Sequence, residues 1–212
     1  MAFEAFEKLS ADKKELILSA GMKEFSQKPY KEASTDSITK ACGISKGLLF
    51  HYFGSKKAFY FYCLESAMEK LTAQAQSKEE VNDFYDILFS SMDQKFALCI
   101  HYYDEMHMVN MASRDAATEI VQQKAEMMQK YAIQIKMKSA ETIRRALQTL
   151  HFKHDENLQM TVEGISLYIN AVLNKYLIQY QTTPDAFFQN RDAIKSEMKQ
   201  YLDMMLFGIC QK

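Results

Sequence analysis

Proline and glycine are scarce in this chain, with two prolines, Pro29 and Pro184, and six glycines in 212 residues. With so few breakers, the long intervening stretches rich in Ala, Leu, Met, Lys, Glu and Gln favour an all-α fold. Long apolar runs are also missing. No segment approaches the roughly 18 uncharged apolar residues of a membrane span, and the opening MAFEAFEKLSADKK mixes acids with its apolar residues and lacks the long apolar region of a secretory signal. The expectation is a cytoplasmic protein. The four cysteines, Cys42, Cys63, Cys99 and Cys210, are widely spaced without a CxxC pair, so they read as reduced, buried thiols. A glycine-rich phosphate loop, a GxSxG elbow, an HExxH helix and a Cys–His signature are all lacking. Nothing therefore points to an enzyme, and no cofactor is implied.

What is present is a chain long enough for one or two domains and, at 48% hydrophobic residues, apolar enough for a substantial core. The net charge of -1 hides an asymmetry. Residues 1–57 hold ten lysines against seven acids, a balance of +3, and the remainder holds sixteen basic and twenty acidic residues, a balance of -4. A cationic head on an acidic body suits local contact with phosphate.

Along the chain, Ser10 and Asp12 offer helix starts, and Asp12 with Glu15 has capping-box spacing. Ile17, Gly21 and Phe25 recur every four residues up to the stop at Pro29. Ser34 and Thr35 can cap a short helix that carries Ile38, Ala41 and Cys42 and ends at Gly43. Ser45 caps a third helix through Phe53, stopped by Gly54, and Ser55 opens a fourth that leads out of the head without a flexible linker. Three short helices with a glycine-containing turn between the second and third form a helix-turn-helix pattern. Further on, Tyr85, Phe89, Met92, Phe96, Cys99 and Tyr103 step by fours and threes as one stripe. A break at 113–115 precedes a long helix to about Leu150. The segment 158–180 is apolar nearly all round apart from a polar row at Gln159, Glu163, Ser166, Asn170 and Asn174, so it must be covered on more than one side.

The stretch GISKGLLFHYFGSKK, residues 43–57, combines three glycines, three lysines and several aromatic side chains within fifteen residues. Ile44, Leu49 and Phe53 point inward. Lys46 adds charge where a helix N-terminus already attracts an anion, and Gly47 removes a side chain that would hold a phosphate away. Phe50, His51 and Tyr52 can reach bases, sugars or phosphates. The competing reading, with aromatics in the core and lysines merely solvated, fits each residue alone but not the combination of turn, caps, glycines and lysines.

STDSITKACGISKGLLFHYFGSKKAFY resembles the helix-turn-helix of tetracycline-repressor-type (TetR family) regulators, and ILSAGMKEFSQKPYKEAST resembles their first helix. The spacing of Ile38, Gly43, Ile44, Ser45, Gly47, Phe53 and Lys56 holds without a gap. The resemblance implies an all-α protein with a helix-turn-helix domain at 1–55 and a ligand-binding and dimerisation domain at 56–212. It implies double-stranded DNA as partner, with contacts from Thr35, Ser45, Lys46, Gly47, Leu48, Phe50, His51, Tyr52 and Lys56. Phe50 stands where tyrosine is usual, which removes a hydroxyl. The resemblance further implies a homodimer on a palindromic operator and a small-molecule effector that shifts the heads out of register with DNA. Pocket candidates are Phe89, Met92, Phe96, Met106, Met127, Tyr131 and Tyr168. Dimer candidates, in a four-helix arrangement, are Leu167, Ala171, Leu177, Ile178, Met198, Leu202 and Met205. Because no arginine precedes Arg114, bidentate arginine–guanine contacts are unavailable to the head, and binding should depend on lysine, DNA shape and salt.

Two other readings stay open. His101 and Glu105, near Asp104 and His107, have the i, i+4 spacing of a metal pair on a helical metal-binding or enzymatic body, although no third ligand is fixed; His151 and His154 beside Asp155 and Glu156 suit a helix end. A helical module whose head binds protein is the second.

Overall fold

The computed structural model describes residues 3–73, 83–150, 158–180 and 183–208. Those residues form eleven α-helices and no strand: α1 (Glu4–Glu7), α2 (Ala11–Gln27), α3 (Thr35–Cys42), α4 (Lys46–Phe53), α5 (Lys56–Thr72), α6 (Phe84–His101), α7 (Tyr103–Arg114), α8 (Val121–Leu147), α9 (Leu158–Gln179), α10 (Pro184–Gln189) and α11 (Arg191–Phe207). The chain divides into two compact units, residues 1–74 with 98–133, and residues 75–97 with 134–212. His151 and His154 lie outside the described residues, as do Ile209 and Cys210.

The first unit closes around one core in which Phe6, Ile17, Met22, Phe25, Phe59, Leu64, Met108 and Ile120 are all but fully buried. Each such side chain contributes about 1.5–3 kcal/mol by leaving water. Gly21 lets α2 come against α5: a Cβ there would sit 2.5 Å from the Phe59 ring and 2.8 Å from Cys63 Sγ. The helix-turn-helix thus shares its core with α5, α7 and the first half of α8. Asp115 fastens the turn before α8 by accepting the N–H of Tyr30 at 2.6 Å and that of Ala117 at 2.9 Å.

Three sequence expectations change here. The Asp12–Glu15 capping box does not form: Ser10 is the N-cap of α2 without a side-chain bond, and Glu15 is drawn to Lys70 at 3.0 Å. Ahead of Ser10, where the sequence reading expects no helix, α1 seats Phe6 in the core. The stripe from Tyr85 to Tyr103 is broken at Tyr102, whose φ of -102° and ψ of 58° end α6 and start α7 with no glycine or proline to mark the place.

The second unit holds two apolar clusters. One gathers Phe84, Leu88, Ile143, Val162, Ile165 and Leu202, and the other Met92, Phe96, Val172, Phe187, Ile194 and Met198. Ion pairs rim them: Lys195 with Asp93 at 2.9 Å, Lys175 with Glu197 at 2.7 Å and Lys199 with Asp203 at 3.0 Å. Tyr85 donates to Asp203, and Tyr176 donates to Glu197.

Candidate nucleic-acid interface

The turn from α3 to α4 is built by three short-range devices. The Ser34 hydroxyl oxygen accepts the N–H of Ser37 at 3.3 Å and caps α3. Gly43 ends that helix in the left-handed region at φ 67°, a conformation glycine adopts without steric cost. The Ser45 hydroxyl oxygen then accepts the N–H of Leu48 at 3.2 Å, capping α4. Ser55 repeats the pattern for α5, accepting from Ala58 at 3.0 Å after the turn at Gly54, φ 75°.

α4 buries Leu49, Tyr52 and Phe53, which share one face by their three- and four-residue spacing. Aromatic packing holds that face: Phe6 meets Phe53 at 4.7 Å and Tyr52 at 6.0 Å between ring centroids, and Phe53 meets Phe59 at 4.6 Å. The opposite face carries Ser45, Lys46, Gly47 and His51, all exposed, with Leu48 and Phe50 half-buried beside them. Tyr52 therefore belongs to the core rather than to the exposed row where the sequence had placed it, because α1 supplies the ring that covers it.

Gly47 is informative for what surrounds it. A Cβ there would come no closer than 4.0 Å to the Ser45 hydroxyl, the one described atom in reach. Glycine inside a helix costs about 1 kcal/mol relative to alanine, and nothing among the described residues requires it. The space above α4 at Gly47 is open among the described residues.

The lysines differ in availability. Lys46 reaches Asp36 at 3.0 Å, with both side chains largely in water, a pairing worth about 0–1 kcal/mol that an incoming phosphate can replace. Lys56 is held more firmly: its ammonium donates to the Lys31 carbonyl at 3.3 Å and lies 4.7 Å from the centre of the Tyr30 ring. Burial lowers its pKa below the ordinary lysine value, against the pull of Glu24, Glu119 and Asp115. Thr35, the first residue of α3, is buried. At Thr35 the group free to meet an anion is the backbone N–H of a helix start rather than the side chain, whereas the Lys56 ammonium has three donors and spends one on the Lys31 carbonyl.

The other nominated residues scatter. Tyr131 belongs to the core of the first unit with Met127 packed against it, and Met106 is buried in the same unit, whereas Met92 and Phe96 line a cavity of the second and Phe89 and Tyr168 pack beside it. The seven do not form one pocket, because the middle helices serve two cores. Leu88, Lys95, Ser139, Ser166 and Asn170 line that cavity and were not nominated for it; the polar row on α9, which supplies Ser166 and Asn170, was the available signal. Of the dimer candidates, Leu167, Ala171, Leu177, Ile178 and Met205 are exposed, but Met198 and Leu202 are fully buried inside their own chain and present nothing to a partner. Glu105 is ion-paired with Lys70 at 2.9 Å, and among the described residues no three His, Cys, Asp or Glu side chains cluster as metal ligands. No helix among them is long and apolar enough to cross a membrane.

The model of the bacterial regulatory proteins, tetR family, matches residues 17–63, the segment from α2 through most of α5's first half. The uncharacterized HTH-type transcriptional regulator YuxN of Bacillus subtilis (strain 168) is 39% identical over 59 residues, 28% of this chain and 20% of its own. The HTH-type transcriptional regulator UidR of Escherichia coli (strain K12) is 33% identical over 76 residues, 36% of this chain and 39% of its own. The match spans only a fifth to two fifths of these relatives' length. Solved structures extend the likeness in fold: a TetR family transcriptional regulator from Chloroflexus aurantiacus J-10-FL aligns with a TM-score of 0.56 at 18% identity over 96% of both chains. TylP, a tetR regulator from Streptomyces fradiae, aligns with a TM-score of 0.58 at 17% identity over 91% of this chain and 85% of that one.

Proposed function

We propose that the chain, whose residues 17–63 match the bacterial regulatory proteins, tetR family, is a ligand-responsive repressor of that family that binds a palindromic operator as a homodimer and is released by a small-molecule effector. The observation that carries the DNA-binding part is α4 itself: its inner face is fixed to the first unit's core by Leu49, Tyr52 and Phe53, while Ser45, Lys46, Gly47 and His51 stand outside around an unfilled helical glycine. In a major groove this arrangement brings the Lys46 ammonium and the open N-terminus of α4 to phosphate, with Leu48, Phe50 and His51 towards base edges. Two such helices in a dimer address half-sites about 34–36 Å apart or somewhat more.

Effector release needs only a difference in ligand affinity between two states, and a coupling of about 1–3 kcal/mol suffices. The second unit, with its cavity, is where that ligand is expected, and the protein acts in the cytoplasm, where its DNA is. A gel shift with DNA upstream of the protein's own gene, titrated with salt, tests the reading. A retarded complex whose affinity falls steeply with salt is expected. Absence of any complex at low salt, or a slope near zero, would overturn it.

A further inference from the structure

The second unit contains a cavity of about 190 Å³. Leu88, Met92, Phe96, Ile143 and Ile169 give it apolar walls. Its polar lining consists of Ser91, Lys95, Ser139, Thr142, Ser166 and Asn170, of which the Ser166 hydroxyl donates to the Val162 carbonyl at 2.7 Å and the Thr142 hydroxyl to the Lys138 carbonyl at 3.0 Å. Lys95 is different. Its ammonium donates to the Ser139 hydroxyl oxygen at 3.3 Å, and no carboxylate among the described residues lies within ion-pairing distance of it. The nearest in sequence, Asp93, is taken by Lys195 at 2.9 Å. Lys175, Lys195 and Lys199 of the same unit each have an acid partner. Lys95 is exposed over much of its length and stands at the rim of the cavity, where the neighbouring apolar walls lower its pKa from the ordinary lysine value by desolvation and no acid among the described residues answers its charge. The Ser139 hydroxyl, already accepting from the ammonium, keeps its proton to donate. Together the two side chains offer donors to two oxygens of one anion.

We propose that this cavity binds a small apolar monocarboxylate, its oxygens taking hydrogen bonds from the Lys95 ammonium and the Ser139 hydroxyl and its hydrocarbon body lying against Leu88, Met92, Phe96 and Ile143. One lysine and no arginine among the lining residues matches one negative charge rather than the two of a phosphate monoester. The volume holds roughly six waters at ~30 Å³ each, well below the ~300 Å³ at which drug-sized sites begin, so the body is short. The inference rests on the reading of the second unit as the effector-binding part, and it names the effector's class.

The test is calorimetric titration of the full-length protein with octanoate and phenylacetate and with their uncharged amides. Each acid should bind roughly tenfold more tightly than its amide, the scale by which a charge-assisted hydrogen bond exceeds a neutral one. Lys95→Met, which keeps the apolar stem, should abolish the preference, and Lys95→Arg should restore it. Equal binding of acid and amide, an unchanged preference in Lys95→Met, or no binding of either acid overturns the proposal. A gel shift with and without octanoate separates it from the wider reading. An acid that binds but leaves the DNA complex intact upholds the site and removes the effector role, whereas release of DNA by other small molecules alone upholds the effector role and removes this site.

Discussion

In the proposed complex, Asp36 would compete with DNA for Lys46. The pair is 3.0 Å apart and exposed on both sides, so it adds little stability, but it places a negative charge at the surface that must face phosphates and occupies the ammonium that would meet them. Asp36→Asn should therefore tighten DNA binding several-fold at low ionic strength, and the gain should shrink as salt screens it. Filter binding or fluorescence anisotropy at two salt concentrations reads this directly; an affinity unchanged at low salt would place Lys46 away from phosphate. Gly47 gives a test in which stability and binding move in opposite directions. With only the Ser45 hydroxyl near the missing side chain, Gly47→Ala should raise the melting temperature, by the equivalent of up to about 1 kcal/mol, and at the same time weaken DNA binding because the methyl group stands between α4 and the groove. A variant both more stable and equally tight would show that the open space above α4 is not used.

At the scale of elements, the sequence was readable where the determinants are local. Ser34, Ser45 and Ser55 cap the helices they precede, and Gly43 and Gly54 take the positive φ that ends α3 and α4, because a cap needs only residues three apart. What the sequence could not show depended on partners distant along the chain. Tyr52 turned inward because Phe6, 46 residues earlier, covers it, and Glu15 left its capping box for Lys70. α1 is the exception, since Phe3, Phe6 and Leu9 are spaced three apart beside an acid in the first turn, and that signal was present. Long-range pairing also sets a pH dependence in the second unit. Hydrogen bonds from Tyr85 and then Lys199 hold the Asp203 carboxyl below its ordinary pKa, and Lys175 and then Tyr176 do the same for Glu197. A depressed carboxyl pKa adds stability that is complete above the unfolded values of about 3.9 and 4.3 and is lost as pH falls through the folded values. Chemical denaturation should thus show declining stability below about pH 4, and Tyr85→Phe with Tyr176→Phe should flatten that decline. An identical slope in the double variant would mean that these carboxyls do not contribute to it.

For the whole molecule, the sequence recognised that segment 158–180 was too apolar to stand alone but could not say which side chains its own core would take. The structure divides them: Val162, Ile165 and Val172 are buried, whereas Met160, Leu167 and Ile178 remain 69%, 72% and 68% exposed. These three, with Gly164 and Ala171, recur every three, four or seven residues and so lie along one side of α9. On α11, Ile194, Met198 and Leu202 are used internally, while Tyr201, Met204, Met205 and Phe207 are left at the surface. Monomeric proteins rarely expose contiguous apolar patches beyond a few hundred Å², and two helices per protomer can supply the roughly 800 Å² per partner of a standard interface. The occupant that the proposed palindromic site calls for is a second copy of the same chain, since a two-fold operator mirrors a two-fold protein. Leu167→Glu with Ile178→Glu places two charges per protomer on that surface without disturbing its own core. Sedimentation should find the wild type as a dimer and the variant as a monomer of unchanged helicity. DNA affinity should fall by far more than either exposed residue could contribute by contact, because linking the two heads supplies an effective concentration that gains about 10²–10⁴ in avidity. A wild type that sediments as a monomer at micromolar concentration, or a monomeric variant that binds the full site as tightly, would remove the dimer from the mechanism.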